Sequence, residues 1–156
     1  MTTPKIGNKA PDFELAATAE QTIKLSSLRG GPVVLYFYPK DATPGCTQEG
    51  LDFTAAITDF DALNTTIFGL SRDSVASHEK FKLKQGFAFD LLSDSEEKVC
   101  RLYDVIKEKN MYGKKVMGIE RSTFLIDAKG VLVQEWRKVK VKDHVQEVLE
   151  AVKQLS

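Results

Sequence analysis

Apolar positions along this chain follow two different periods. Val33-Val34-Leu35-Tyr36-Phe37-Tyr38 is an unbroken apolar run rich in β-branched and aromatic residues. That is the pattern of a central strand buried on both faces. Pro39 ends the run, and the period then changes. Apolar residues recur at Phe53, Ala56, Ile57, Phe60 and Leu63, which is helical spacing with one face toward a core. This helix is predicted to begin near Pro44, because proline suits a first turn and Thr43 can cap it. Thr65 to Leu70 reads as a second strand, completing a strand–helix–strand unit with a right-handed crossover.

A helix follows from about Ser74 to Lys84, stopped by Gly86. Ser93-Asp94-Ser95-Glu96 looks like a capping box that opens a short helix through Cys100 to Tyr103. Ser122–Ile126 and Val131–Trp136 flank the turn Asp127-Ala128-Lys129-Gly130 and predict a hairpin. Asp143 is expected to cap a last helix with the stripe Val145, Val148, Leu149, Val152 and Leu155. This order predicts a thioredoxin-like α/β fold, a central mixed sheet flanked by helices with an N-terminal extension. No repeat or linker interrupts it, so residues 1–156 are expected to form one domain.

Composition removes several alternatives. The chain has 156 residues, 42% of them hydrophobic, enough to bury a core without covalent staples. Two cysteines exclude a disulfide scaffold and a four-cysteine zinc module. With 22 basic and 22 acidic side chains the net charge is zero, unlike the basic balance that nucleic-acid binding selects. The longest apolar run is far short of a membrane span. Met1-Thr2-Thr3-Pro4-Lys5 contains no apolar secretion signal, so a cytoplasmic protein with reduced thiols is expected. The charge is uneven: residues 107–142 hold 10 basic and 4 acidic side chains. No aromatic ladder interleaves them, and the segment reads as a solvated surface.

The candidate chemistry lies in the loop after the first strand. Cys46 falls in the first turn of the following helix, where unpaired backbone N–H groups and the positive end of the helix dipole favour the reactive thiolate. Position 49 is Glu, so no Cys-x-x-Cys dithiol centre exists here. A Cys–His dyad could use only His78, in a polar helical stretch, or His144, at the start of the last helix. Both read as surface histidines. The scattered cysteines and histidines give no metal-ligand pattern and imply no cofactor.

Pro39-x-x-x-Thr43-x-x-Cys46 matches the peroxiredoxin signature. The longer segment Phe37-Tyr38-Pro39-Lys40-Asp41-Ala42-Thr43-Pro44-Gly45-Cys46-Thr47-Gln48-Glu49 resembles the bacterioferritin comigratory protein (peroxiredoxin Q) branch of that family. Lys5–Phe13, Gly69–Ser74, Met111–Lys115 and Gly118–Phe124 resemble further blocks of the branch in the same order. The likeness spans about residue 5 to about residue 155. It implies reduction of hydrogen peroxide and organic hydroperoxides by a Cys46 thiolate that becomes a sulfenic acid. It also implies that the Thr43 hydroxyl and the Cys46 N–H hydrogen-bond the peroxide, that Arg121 supports thiolate and transition state, and that Pro39 shields the sulfur. Glu49 matches a position that helps orient the arginine.

Many members of the branch carry a resolving cysteine five residues after the reactive one, where this chain has Leu51. Others carry it in the helix after the second strand, and residues 74–84 contain none. Cys100 is the only remaining candidate, and it reads as a buried packing residue. The expectation is a one-cysteine cycle in which thioredoxin, glutaredoxin or glutathione resolves the sulfenic acid. By analogy with the branch, a monomer is expected. Two other readings stand beside the enzyme: a peroxide-sensing switch that binds a partner through oxidised Cys46, and a protein that binds partners through its basic 107–142 segment.

Overall fold

The apolar run becomes the strand around which the sheet is organised. The computed structural model describes residues 4–155. Its strands are β1 (Glu14–Ala17), β2 (Gln21–Lys24), β3 (Val33–Phe37), β4 (Thr66–Ser71), β5 (Asp90–Ser93), β6 (Ile106–Met111), β7 (Lys114–Ile119), β8 (Ser122–Ile126) and β9 (Leu132–Trp136). The helices are α1 (Pro44–Ala55), α2 (Ile57–Ala62), α3 (Val75–Gln85), α4 (Lys98–Leu102) and α5 (His144–Lys153). Seven strands form one mixed sheet in the order β2-β1-β5-β4-β3-β8-β9, and β6–β7 stand apart as a two-stranded hairpin. β3, β4 and β5 run parallel, whereas β1 joins β5 and β8 joins β3 antiparallel. This is the thioredoxin-like sheet that the element order predicts.

All five residues of β3 are buried, and they divide between two cores. Val33, Leu35 and Phe37 pack with Phe13, Phe68, Cys100, Tyr103 and Phe124 on one face. Val34, Tyr36 and Tyr38 pack with Cys46, Phe53, Phe60, Phe81 and Val148 on the other. A strand with both faces covered has no polar alternation to reveal, which is why the run reads as continuous.

Four local expectations are corrected. The helix over 44–63 is two helices, broken at Ala56 (φ −96°, ψ 5°), whose N–H is shared among the carbonyls of Asp52, Phe53 and Thr54. No glycine or proline causes the break; it lets both α1 and α2 pack against α5. The capping box does not form. Ser93 lies in β5 and donates its hydroxyl to the Asp73 carbonyl at 2.6 Å, while Asp94 Oδ2 accepts the Cys100 N–H at 2.7 Å. Asp143 sits in the left-handed region (φ 61°) and makes no side-chain cap on α5. Thr43 does occupy the N-cap of α1, yet its hydroxyl points back to the Lys40 carbonyl (2.8 Å) and not to the helix.

β5 and the β6–β7 hairpin have no counterpart among the predicted elements. β5 is four residues long and recognisable only through its pairing, parallel with β4 and antiparallel with β1. The hairpin's first strand carries Lys, Glu, Lys and Asn in succession between Ile106 and Met111, without an apolar period.

At Gly50 the backbone of α1 comes close to the Phe87 ring. A Cβ there would stand 2.6 Å and 2.9 Å from Phe87 ring carbons. Gly50→Ala gains about 1 kcal/mol of helix propensity but overpacks this contact, at a cost of roughly 1–3 kcal/mol. Urea unfolding is expected to show net destabilisation, with Phe87→Leu in the same chain restoring most of the loss.

Candidate active site

Antiparallel pairing brings the distant arginine to the cysteine. Phe37 pairs with Ser122, so the residue before β8, Arg121, stands level with the residue after β3, Tyr38. Its backbone is held by neighbours on both sides: the Glu120 N–H donates to the Val105 carbonyl (2.7 Å), and the Val139 N–H to the Arg121 carbonyl (3.0 Å). The guanidinium then reaches over the first turn of α1. Gly45 permits this, because a Cβ there would lie 3.0 Å from Arg121 Nη2.

Arg121 Nη1 donates to Glu49 Oε1 at 2.7 Å, and Nη2 lies 3.5 Å from Cys46 Sγ. One planar cation therefore bridges a carboxylate and the thiol, a use of the guanidinium fork that a lysine cannot copy. Cys46 is 2% exposed and Glu49 fully buried. Burial opposes the charge on Arg121, yet the charges of Glu49 and Cys46 and the hydrogen bonds to them hold its pKa above its usual value. Pro39 is half-buried and, with Lys40, Arg72 and Asp73, lines a cavity of about 390 Å³ beside the loop.

Glu49 is the contested group. Arg121 favours its ionised form, but Oε2 is buried without a hydrogen-bond partner. Desolvation outweighs the arginine, and the carboxyl pKa is pushed up to about 7, with Asp52 adding to the rise. Half of the carboxylate's hydrogen-bonding capacity is unmet, so burial wins.

Cys100 is fully buried in the other core. Burial, with the charge of Asp94 adding, pushes its thiol pKa far above the ordinary range. Leu51, half-buried, packs against the core that holds Cys46.

Both histidines contradict their surface reading. His78 is 0% and His144 4% exposed. His144 Nε2 lies 2.8 Å from Thr123 Oγ1, with its ring edge-on to Trp136 and Phe53. Burial, assisted by the charge on Arg121, lowers its pKa to about 4 and keeps it neutral. His78 pairs with Asp41 at 2.7 Å. Neither period nor spacing marks these residues as buried, because each is a polar position turned inward by its helix. The basic segment is also less uniform than a solvated face. Arg121 enters the site, and Arg137 caps the carbonyls of Tyr103 and Asp104 while stacking on Phe124.

A lone cysteine at the N-terminus of the helix after the central strand, under an arginine from across the sheet, defines a thiol site on a thioredoxin-like fold. A family model described as the AhpC/TSA family matches residues 6–135, and the chain belongs to that family. It is similar to Peroxiredoxin Bcp of Xanthomonas campestris, with 56% identity over 142 residues, 91% of this chain and 89% of that protein. It is also similar to Peroxiredoxin Bcp of Bacillus subtilis, with 53% identity over 154 residues, 99% of this chain and 98% of that one. Among solved structures, a bacterioferritin comigratory protein of Xanthomonas campestris, described for its alkyl peroxide reduction activity, superposes with a TM-score of 0.90. Identity there is 52%, over 97% of this chain and 99% of that one.

The raised Glu49 pKa has a stability consequence. A carboxyl whose folded pKa lies above its unfolded value contributes stability that is present below about pH 4.5 and lost as pH rises through about 7. Glu49→Gln removes this dependence. The melting temperature of the variant relative to the parent protein is expected to climb by several degrees between about pH 5 and pH 8. A difference that does not change with pH would mean that Glu49 is ionised throughout.

Proposed function

We propose that this protein is a thiol-dependent peroxidase that reduces hydrogen peroxide and organic hydroperoxides through Cys46 in a one-cysteine cycle. The observation that carries the reading is the 3.5 Å approach of Arg121 Nη2 to Cys46 Sγ at a helix N-terminus. A cation and a helix dipole at one sulfur stabilise the thiolate, the nucleophilic form.

The thiolate attacks one oxygen of the peroxide. The S–O bond forms as the O–O bond breaks, and the second oxygen leaves as alcohol or water after taking a proton. Cys46 is then a sulfenic acid. Charge grows on the leaving oxygen, and the Arg121 guanidinium and the Cys46 N–H are donors placed beforehand to meet it. Thr43 acts differently from a simple donor. Its proton is committed to the Lys40 carbonyl, so its oxygen accepts the hydrogen bond of the incoming hydroperoxide. Pro39 limits the access of water to the sulfur, and Glu49 keeps the guanidinium in place.

Resolution by an external thiol is supported by the sheet between the two cysteines. Cys46 belongs to the core on one face and Cys100 to the core on the other, while a disulfide needs Cα atoms within about 7 Å. A thiol such as thioredoxin, glutaredoxin or glutathione attacks the sulfenic sulfur and expels water, and a second thiol releases Cys46 from the mixed disulfide. The reading includes a single domain that works as a cytoplasmic monomer. Among the described residues, no helix is long and apolar enough to cross a membrane.

Cys46→Ser is expected to abolish peroxide consumption, while Cys100→Ser retains most of it. Mass spectrometry after one equivalent of peroxide is expected to find a sulfenic acid or thiol adduct on Cys46. An internal Cys46–Cys100 disulfide would overturn the one-cysteine cycle, and consumption that stops at one equivalent despite reductant would identify a switch. Arg121→Lys is expected to lower kcat/KM for peroxide by roughly 10²-fold, because one ammonium cannot serve Glu49 and Cys46 together.

A further inference from the structure

The loop Pro39–Thr43 delivers Thr43 and the first turn of α1 to the reacting atoms. It is not relaxed by its own sequence: Ala42 lies at φ 62°, a left-handed conformation that a side chain with a Cβ disfavours. Contacts from outside the loop hold it there, and they converge on Asp41. The Asp41 N–H donates to Asp73 Oδ2 at 2.9 Å, an oxygen that also accepts the Ser71 hydroxyl at 2.6 Å. The Asp41 side chain is 4% exposed. Its Oδ1 accepts the Tyr38 hydroxyl at 2.6 Å, and its Oδ2 accepts the Ser77 hydroxyl at 2.7 Å.

The last partner is His78, whose Nδ1 lies 2.7 Å from Asp41 Oδ2. Its other nitrogen, Nε2, lies 2.9 Å from the Leu92 carbonyl. A carbonyl only accepts, so Nε2 must carry a proton. Nδ1 faces a carboxyl oxygen, and two lone pairs do not meet at that distance, so a second proton lies between them. Hydrogen bonds from His78 and Tyr38 outweigh burial and hold the Asp41 carboxyl below the usual carboxylate range. His78 is thus clamped between β5 and the active-site loop. Asp41, Asp73 and His78 also bring ligand-type atoms within 4.8 Å of one another, but the hydrogen bonds above already engage those atoms.

We propose that His78, 37 residues from Asp41 in sequence and touching no reacting atom, is a positioning residue for the peroxide-reducing site. Clamped between the Leu92 carbonyl and Asp41, it holds the loop Pro39–Thr43 in the strained form that aims Thr43 Oγ1 and the Cys46 turn at the peroxide. This rests on the peroxidase reading and adds that the loop geometry is imposed by α3 and β5.

The two ring nitrogens can be tested separately. In His78→Asn the side-chain amide reaches Asp41 but not Leu92; in His78→Gln it reaches Leu92 but not Asp41. Three measurements, below the unfolding transition of each variant, decide the matter: the rate of Cys46 sulfenic acid formation with hydrogen peroxide, the rate of Cys46 alkylation by iodoacetamide, and the urea midpoint. His78→Gln is expected to slow peroxide oxidation by about tenfold or more, as misplacement of a reacting geometry does, with alkylation changed less than about twofold. His78→Asn is expected to recover most of the loss even where its midpoint is the lower of the two. Ser77→Ala, a milder change that keeps the fold, is expected to slow oxidation about threefold by removing one donor from Asp41. Peroxide rates unchanged in all three variants, or rates that follow the urea midpoints, would overturn the role of His78. Failure of the unsubstituted protein to oxidise at Cys46 would instead remove the functional reading beneath it.

Discussion

The Arg121 guanidinium, shared between Glu49 and the Cys46 sulfur, is the interaction on which the rest of the site depends. It spans 75 residues of sequence, and neither end is free to move. Cys46 is fixed by α1 and Arg121 by the antiparallel register of β8 on β3. Removing Arg121 would take the hydrogen bond from Glu49 Oε1 and leave both carboxyl oxygens buried without a partner. The arrangement therefore constrains several features at once: a glycine at 45, a helix starting at 44, and an arginine one residue before its strand.

The surroundings make this interaction strong. Tyr36 stacks on Phe53 at 4.7 Å between ring centroids, and Phe87 stacks on Phe89 at 5.6 Å. This aromatic layer lies in the same core as Cys46 and keeps water from that side, so charges act at shorter screening and longer reach. The same dryness sets its own cost in the unpartnered Oε2 of Glu49. The polar groups around Asp41 follow a stricter rule. Asp41, His78, Ser77 and Tyr38 satisfy one another, as a buried network must if it is to hold a loop in place.

The two cysteines illustrate how environment divides a residue type. Cys46 and Cys100 are both buried, but one lies under a guanidinium and the other beside the Asp94 carboxylate, which accepts its own backbone N–H. Burial and the Asp94 charge together oppose a thiolate at Cys100. The sheet keeps the two apart, so the contrast is built into the topology.

The sequence by itself determined what depends on neighbours in the chain. The β3 run, the helix that starts at Pro44 and carries Cys46 in its first turn, the β8–β9 hairpin and the stripe of α5 as far as Val152 (Leu155 lies past the helix and is exposed) are all local patterns, visible because period and turn chemistry act over a few residues. The signature around Cys46 and the likeness at Arg121 named the site's members without saying how they meet. Only the tertiary structure decided the rest. The break at Ala56 lies between two helices that both pack on α5, and β5 is held between β4 and β1. His78 and His144 read as surface residues until α3 and α5 turn them inward, and Glu49 acquires its raised pKa only when burial removes water from one of its oxygens. Desolvation and long-range pairing are properties of the folded surroundings, and a residue's own position in the chain carries no record of them.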